Sequence, residues 1–272
     1  MTGQRPAAVY THGHQEAVLR SHRSRGVADS AAYLVPELRS GQALLDVGCG
    51  PGTITADLAE LVGPGGRVVA VDTSGEVLEQ AAAYVAGRGL SNVVFEVADV
   101  HQLRYRDGEF DVVHAHQLLQ HVADPVAALR EMRRVVAPGG VVAARDVDYA
   151  TMTWYPEAPA LESWLLLYRR TARANGGEPD AGRRLLSWAR AAGFAEVTAT
   201  ATTWTYATPE RRAFWAGMWA DRTVDSAFAR TAEERGFADR AELERIAAAW
   251  REWSTAEDGW FSMLHGEILA RG

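Results

Sequence analysis

Residues 44–53 read "LLDVGCGPGT". An apolar run, "QALLDVG" at 42–48, ends here in glycines, which suits a buried parallel strand. The next stretch, "TITADLAELVG" at 53–63, carries apolar residues at helical spacing and closes on Gly63. Gly48, Gly50 and Gly52 therefore stand where a strand hands over to a helix. Glycine lets the backbone turn sharply there and lets a ligand approach with no Cβ in the way. The following helix N-terminus offers unpaired N–H groups and a positive dipole end, suited to a carboxylate or phosphate.

Working outward, the alternation continues. "GRVVAVD" (66–72) reads as a second buried strand and "GEVLEQAAAYVAGRG" (75–89) as a helix closed by glycine. "NVVFEVAD" (92–99), "FDVVHA" (110–115) and "VVAARDVD" (141–148) read as further strands. "ADPVAALREMRRVV" (123–136) is a helix with Asp124 as its cap, and "VADSAAYLVPELR" (27–39) an amphipathic helix ahead of the first strand. Strands alternating with helices at this spacing predict a parallel sheet covered on both faces. The second half changes character: mostly helical, tryptophan-rich segments surround two strand-like stretches, 196–207 and 259–270. These two are expected to pair antiparallel and complete the sheet, with the intervening helices as an insertion over its edge or pocket. Core and lid packing is the expected role of the tryptophans.

Asp72 ends the second strand about 20 residues after the glycine loop, where an acidic residue accepts hydrogen bonds from ribose hydroxyls. Asp99 ends the third strand. Loop and carboxylates fall at carboxyl ends of adjacent parallel strands, where ligands of open α/β sheets bind.

Composition narrows the chemistry. All 28 basic residues are arginine, so a lysine Schiff base, a P-loop lysine and a Tyr-x-x-x-Lys pair are excluded. The single cysteine, Cys49, excludes intrachain disulfides and cysteine-rich metal centres. A net charge of −7 speaks against a nucleic-acid partner. No apolar run is long enough to span a membrane, and the first residues lack a signal-peptide core, so a cytoplasmic protein is expected.

The glycine spacing is G-x-G-x-G with Asp46 ahead of it, not G-x-G-x-x-G. With "VVAVD", "VADV" at 97–100, "FDVVHAHQLLQHVADP" at 110–125 and "LREMRRVVAPGGVV" at 129–142, the chain resembles the class I S-adenosylmethionine-dependent methyltransferases. The likeness is to their ubiquinone/menaquinone-biosynthesis-like small-molecule branch and covers about residues 27–148. It implies an α/β, Rossmann-like fold with a seven-stranded, mostly parallel sheet, helices on both faces and a helical lid in the C-terminal half. Residues 1–26 would form an N-terminal cover, 27–150 the cofactor-binding core, and 151–272 the lid with the last two strands. The resemblance implies S-adenosyl-L-methionine as cofactor, with Gly48, Gly50 and Gly52 against its methionine part and Asp46 holding the ammonium. Asp72 would grip the ribose, with Thr73 and Ser74 beside the adenine. Asp99 would accept from the adenine amino group, Val100 would donate its backbone N–H, and Ala115 would line the site from the fourth strand. Tyr10, His14 and Arg25 would close over the cofactor. Methyl transfer to a small, apolar or aromatic metabolite is the expected function, by a monomer or homodimer. Cyclisation on the same cofactor and nicotinamide-dependent oxidation are the rival readings.

An oxygen or carbon-acid acceptor needs a base, and His116, Asp148, Tyr149 and His14 are the candidate catalytic residues. His114 and His116 share one strand face, but no carboxylate-rich or cysteine partner completes a ligand spacing, so no metal is expected. His114 reads as packed core, His121 as scaffold, and His116 as the residue at the substrate rim.

Overall fold

The computed structural model describes Thr11 and residues 25–272. The strands are β1 (Ala43–Val47), β2 (Arg67–Asp72), β3 (Val93–Val97), β4 (Phe110–His116), β5 (Val136–Val147), β6 (Thr153–Tyr155), β7 (Glu196–Tyr206) and β8 (Trp260–Arg271). The helices are α1 (Val27–Ser30), α2 (Thr53–Val62), α3 (Gly75–Gly87), α4 (Pro125–Val135), α5 (Pro159–Ala174), α6 (Leu185–Ala191), α7 (Pro209–Val224), α8 (Ala227–Glu234) and α9 (Arg240–Trp253).

One sheet runs β3-β2-β1-β4-β5-β8, with β7 on the far edge of β8. The pairs among β1 to β5 are parallel, and β8 runs antiparallel to β5, β6 and β7. The C-terminal ends of β1 to β5 and of β7 thus share one edge of the sheet, the edge that presents ligand sites in this architecture. β1, β2 and β4 are buried on both faces, which is why they read as unbroken apolar runs.

The sheet has eight strands rather than the expected seven. The addition is β6, three residues that follow β5 along the same edge of β8. A strand this short, ending one residue before Pro156, has no periodicity for sequence to show. The expected helix over 27–39 is broken: α1 stops at Ser30 and a 3₁₀ segment runs from Ala32 to Glu37. Pro36 has no N–H to donate, and Asp29 bonds the Gly26 N–H and the Ser30 hydroxyl locally, both of which favour short turns. Asp124 caps α4 as expected, accepting from the Ala127 N–H at 2.9 Å.

The C-terminal helices have a core of their own. Trp164 meets Trp219 and Trp250 edge-on, at centroid distances of 4.5 and 4.8 Å, all three rings fully buried. Val147, Tyr149 and Met152 join that cluster beside Phe261 and Met263 of β8, so the helical layer is anchored past the end of β5. No helix among the described residues is long and apolar enough to cross a membrane.

Candidate active site

The glycine loop is fastened by backbone. The N–H groups of Gly48 and Cys49 both donate to the Val71 carbonyl, at 2.7 and 3.0 Å. Gly48, Gly50 and Gly52 have φ of 72°, 53° and 78°. A Cβ on Gly48 would come within 3.0 Å of Leu118 Cδ1, and one on Gly52 within 2.9 Å of Ala81 Cβ. Gly52 precedes α2 and brings no side-chain acceptor, so the helix start is open to a ligand carboxylate. Asp72 accepts from Gly50 N–H at 3.2 Å through Oδ2 and from Ser74 N–H at 3.1 Å through Oδ1. Each oxygen keeps a second lone pair for a ligand hydroxyl. Thr73 is exposed beside it, and the Ser74 hydroxyl caps α3.

Two of the residues expected around the cofactor, Asp46 and Ala115, are built into the scaffold. Asp46 is buried beneath the loop, where Thr55 Oγ1 donates to one oxygen at 2.6 Å and His114 Nδ1 lies 2.8 Å from the other. Asp46 thus ties β1 to α2 and β4 from beneath the loop. His114 is buried as expected, but as a hydrogen-bond partner of Asp46 and not as inert packing. Ala115 points to the opposite face of β4 from His114 and His116, into the apolar core, so its side chain does not reach the loop. Asp99 keeps an exposed carboxylate at the end of β3, held by the backbone and ring nitrogens of His101 at 2.9 and 2.8 Å. Val100 is packed in the core, which leaves its backbone as the part available to a ligand. Tyr10 and His14 lie outside the described residues.

Further along the same edge the construction changes. Asp148 and Tyr149 are buried and paired with other side chains. Arg183 takes both Asp148 oxygens, at 2.5 and 2.9 Å, and Tyr149 stacks on Tyr168 with centroids 4.2 Å apart. His116 lies at the end of β4, opposite Arg145 of β5 in register, and is buried rather than on an open rim. Burial first, then the charges of Arg145 and Arg25, hold its pKa well below the ordinary histidine value. His116 is therefore a neutral imidazole and a weak base. His121 is likewise driven down to about 3 by burial and by Arg25 and Arg222, in keeping with a scaffold role. Asp146, between these, accepts from the Leu119 and Gln120 N–H groups, both at 3.2 Å, and pins the turn after β4. Burial pushes its carboxyl up to about 7 against those two bonds.

Beyond Arg145 lies a cleft of about 510 Å³, lined by Arg25, Trp204, Tyr206, Arg211, Phe214 and Trp215 among others. Tyr206 stacks on Trp215 at 4.4 Å, and Arg211 sits 5.2 Å from the Tyr206 ring centre. Arg25, expected over the cofactor, has its guanidinium 5.2 Å from the Trp204 ring and lines this cleft. Trp204 and Trp215 are thus wall residues as well as packed ones, which the packing expectation missed. Sequence reading also passed over Arg145, although a charged residue inside the apolar run "VVAARDVD" is a visible anomaly. Among the described residues no three of His, Cys, Asp and Glu come together as metal ligands.

A family model described as a methyltransferase domain matches residues 38–203. An uncharacterized methyltransferase of Schizosaccharomyces pombe is 32% identical over 270 residues, covering 96% of this chain and 95% of that protein. A demethylmenaquinone methyltransferase of Lactococcus lactis is 35% identical over 119 residues, 44% of this chain and 47% of that one. A SAM-dependent methyltransferase from Aquifex aeolicus has a similar structure, with TM-score 0.52 and 21% identity over 68% of this chain and 90% of that one. The ordered glycine loop with Asp72 behind it, on this strand order, is the motif face of that domain, and the chain belongs to the methyltransferase-domain family, with the fold of its S-adenosylmethionine-dependent class I members.

Proposed function

We propose that this protein transfers a methyl group from S-adenosylmethionine to a small apolar or aromatic metabolite seated in the Trp204–Tyr206 cleft. The observation that carries the reading is the cradle at Gly48 and Gly52: left-handed backbone, with a Cβ excluded by Leu118 and Ala81. Such a loop lets a ligand lie directly on the main chain. The residues fit the cofactor. The open start of α2 suits its carboxylate, the free lone pairs of Asp72 suit the ribose hydroxyls, and exposed Asp99 with the Val100 backbone suits the adenine edge. Thr73 and Ser74 flank that end.

When bound, the cofactor supplies a methyl already made electrophilic by a sulfonium. The protein's part is then alignment and exclusion of water. His116 and Arg145 at the ends of β4 and β5 stand between the cofactor loop and the cleft, and the aromatic walls shed water from an apolar acceptor. Titration calorimetry with S-adenosylmethionine should show binding, and no heat at millimolar cofactor would overturn the proposal. Product mass separates transfer from its rival: a gain of one methyl supports transfer, an isomerised product supports cyclisation.

A further inference from the structure

Where β4 leaves the sheet, the backbone bends in a way that side chains rarely accept. Gln117 has φ 51°, the one positive value at a non-glycine position among the described residues. Such strain persists only where the surroundings over-determine it, and it gathers at functional sites. Here the turn is pinned on both sides. The Gln117 N–H donates to the Arg145 carbonyl at 2.7 Å, and the Leu119 and Gln120 N–H groups go to Asp146. The place is beside the glycine loop. Val47 and Ala115 are partners in parallel register, so β1 and β4 leave the sheet side by side, and Leu118 packs where a Cβ on Gly48 would stand.

The bend re-aims one side chain. Continued as strand, Gln117 would share the face of Ala115 and enter the apolar core. Turned left-handed, it crosses to the face of His116 and Arg145 and brings its Nε2 to 2.9 Å from Nε2 of His265. His265 stands opposite Val147 in register and is fully buried, 4.4 Å from the Trp204 ring. Burial first, then the charges of Arg145 and Arg25, hold its pKa well below the ordinary histidine value. The ring is therefore neutral, and a contact between these two nitrogens works in one sense only: the amide donates and the bare ring nitrogen accepts. That fixes the amide with its carbonyl oxygen turned away from His265. Gln117 is half-buried, and its Oε1 has no hydrogen-bond partner among the described residues.

We propose that Gln117 meets the methyl group as it passes from cofactor to acceptor, with its side-chain carbonyl turned toward that methyl and His265 as the positioning residue that holds the amide. This rests on reading the glycine loop as the cofactor cradle. A methyl on a sulfonium carries partial positive charge, which the negative end of a fixed carbonyl dipole favours. A neutral amide is also too weak a nucleophile to take the methyl itself.

The test titrates the full chain with S-adenosylhomocysteine, which lacks the methyl, and with sinefungin, which carries an ammonium group in the methyl's place. That ammonium should donate to the Gln117 carbonyl, so the ratio of sinefungin affinity to S-adenosylhomocysteine affinity reads the contact. Gln117→Leu should lower the ratio about tenfold while S-adenosylhomocysteine binds within about twofold of the wild type. Gln117→Gly, which suits the left-handed turn and so keeps the fold, should do the same. His265→Leu should lower the ratio by less, about threefold, and the double variant with Gln117→Leu should go no further than Gln117→Leu alone, because His265 acts through Gln117. An unchanged ratio in the Gln117 variants, or an equal loss of both ligands, would overturn the proposal and leave Gln117 a turn residue with the cradle intact. Failure of the wild type to bind S-adenosylhomocysteine would instead sink the cradle reading, and this proposal with it.

Discussion

The glycine-loop end and the aromatic-cleft end of one sheet edge are built from different materials. At β1 and β2 the work is done by backbone: positive-φ glycines, carbonyl-anchored N–H groups, and a carboxylate that stitches the loop over 22 positions of sequence. At β5, β7 and β8 it is done by large side chains brought from far apart. Arg145 meets Glu267 across 122 positions, Gln117 meets His265 across 148, and the Trp204 indole donates to Asp29 across 175. The glycine loop, the proposed cofactor cradle, is a local, main-chain device. The aromatic cleft, the proposed acceptor site, is a tertiary construction of side chains distant in sequence.

That contrast can be broken from either side. The largest effect is expected at Trp219→Ala, in the fully packed centre of the helical layer. It should cost about 3–5 kcal/mol of stability by denaturant unfolding, while calorimetry on the folded variant should show cofactor affinity unchanged. A parallel loss of affinity would mean that the two ends are one unit. Gly52→Val comes next. It forces a β-branched residue to φ 78°, with its Cβ 3.1 Å from the Ala81 backbone. Strain of about 1–3 kcal/mol should appear mainly as lost cofactor binding, and unaltered binding would show that the loop is not the cradle.

A smaller, pH-dependent effect lies at the junction of the two ends. Asp146 keeps its proton up to about pH 7 when folded, against about 4 when unfolded. Between those values the unfolded chain releases a proton that the folded chain keeps, so this residue makes stability fall as pH rises from about 4 to about 7. Asp146→Asn should flatten that decline in thermal melts at stepped pH, and an identical slope in the variant would exclude Asp146 as its source. The smallest effect is expected at Asp99→Asn. Its carboxylate is exposed, so stability should stay within about 0.5 kcal/mol. Adenosine-end affinity should drop by about 0.5–1.5 kcal/mol, read as a change in cofactor dissociation constant.

The strand and helix order was legible because buried parallel strands and amphipathic helices leave periodic traces in sequence. The glycine loop and Asp72 were legible because both sit at fixed distances along the chain. Asp46 was found, but its ties to Thr55 and His114 were not. Nothing local shows that His114, on the neighbouring strand, closes over its second oxygen. Asp148 and Tyr149 were placed correctly at the end of β5, yet their partners Arg183 and Tyr168 come from later elements that no spacing links to them. His116 was singled out for its position, and only its burial beside Arg145 and Arg25 shows that it stays neutral.

By itself, then, the sequence determined the layered α/β architecture, the glycine loop and the family, because these depend on periodicity and on backbone demands that short stretches express. The tertiary structure alone decided which carboxylates are spent on scaffolding, where the aromatic cleft opens, and that His116 is buried beside an Arg145 paired to Glu267. Those outcomes depend on desolvation and on charges meeting across the sheet, and both exist only once distant strands are paired.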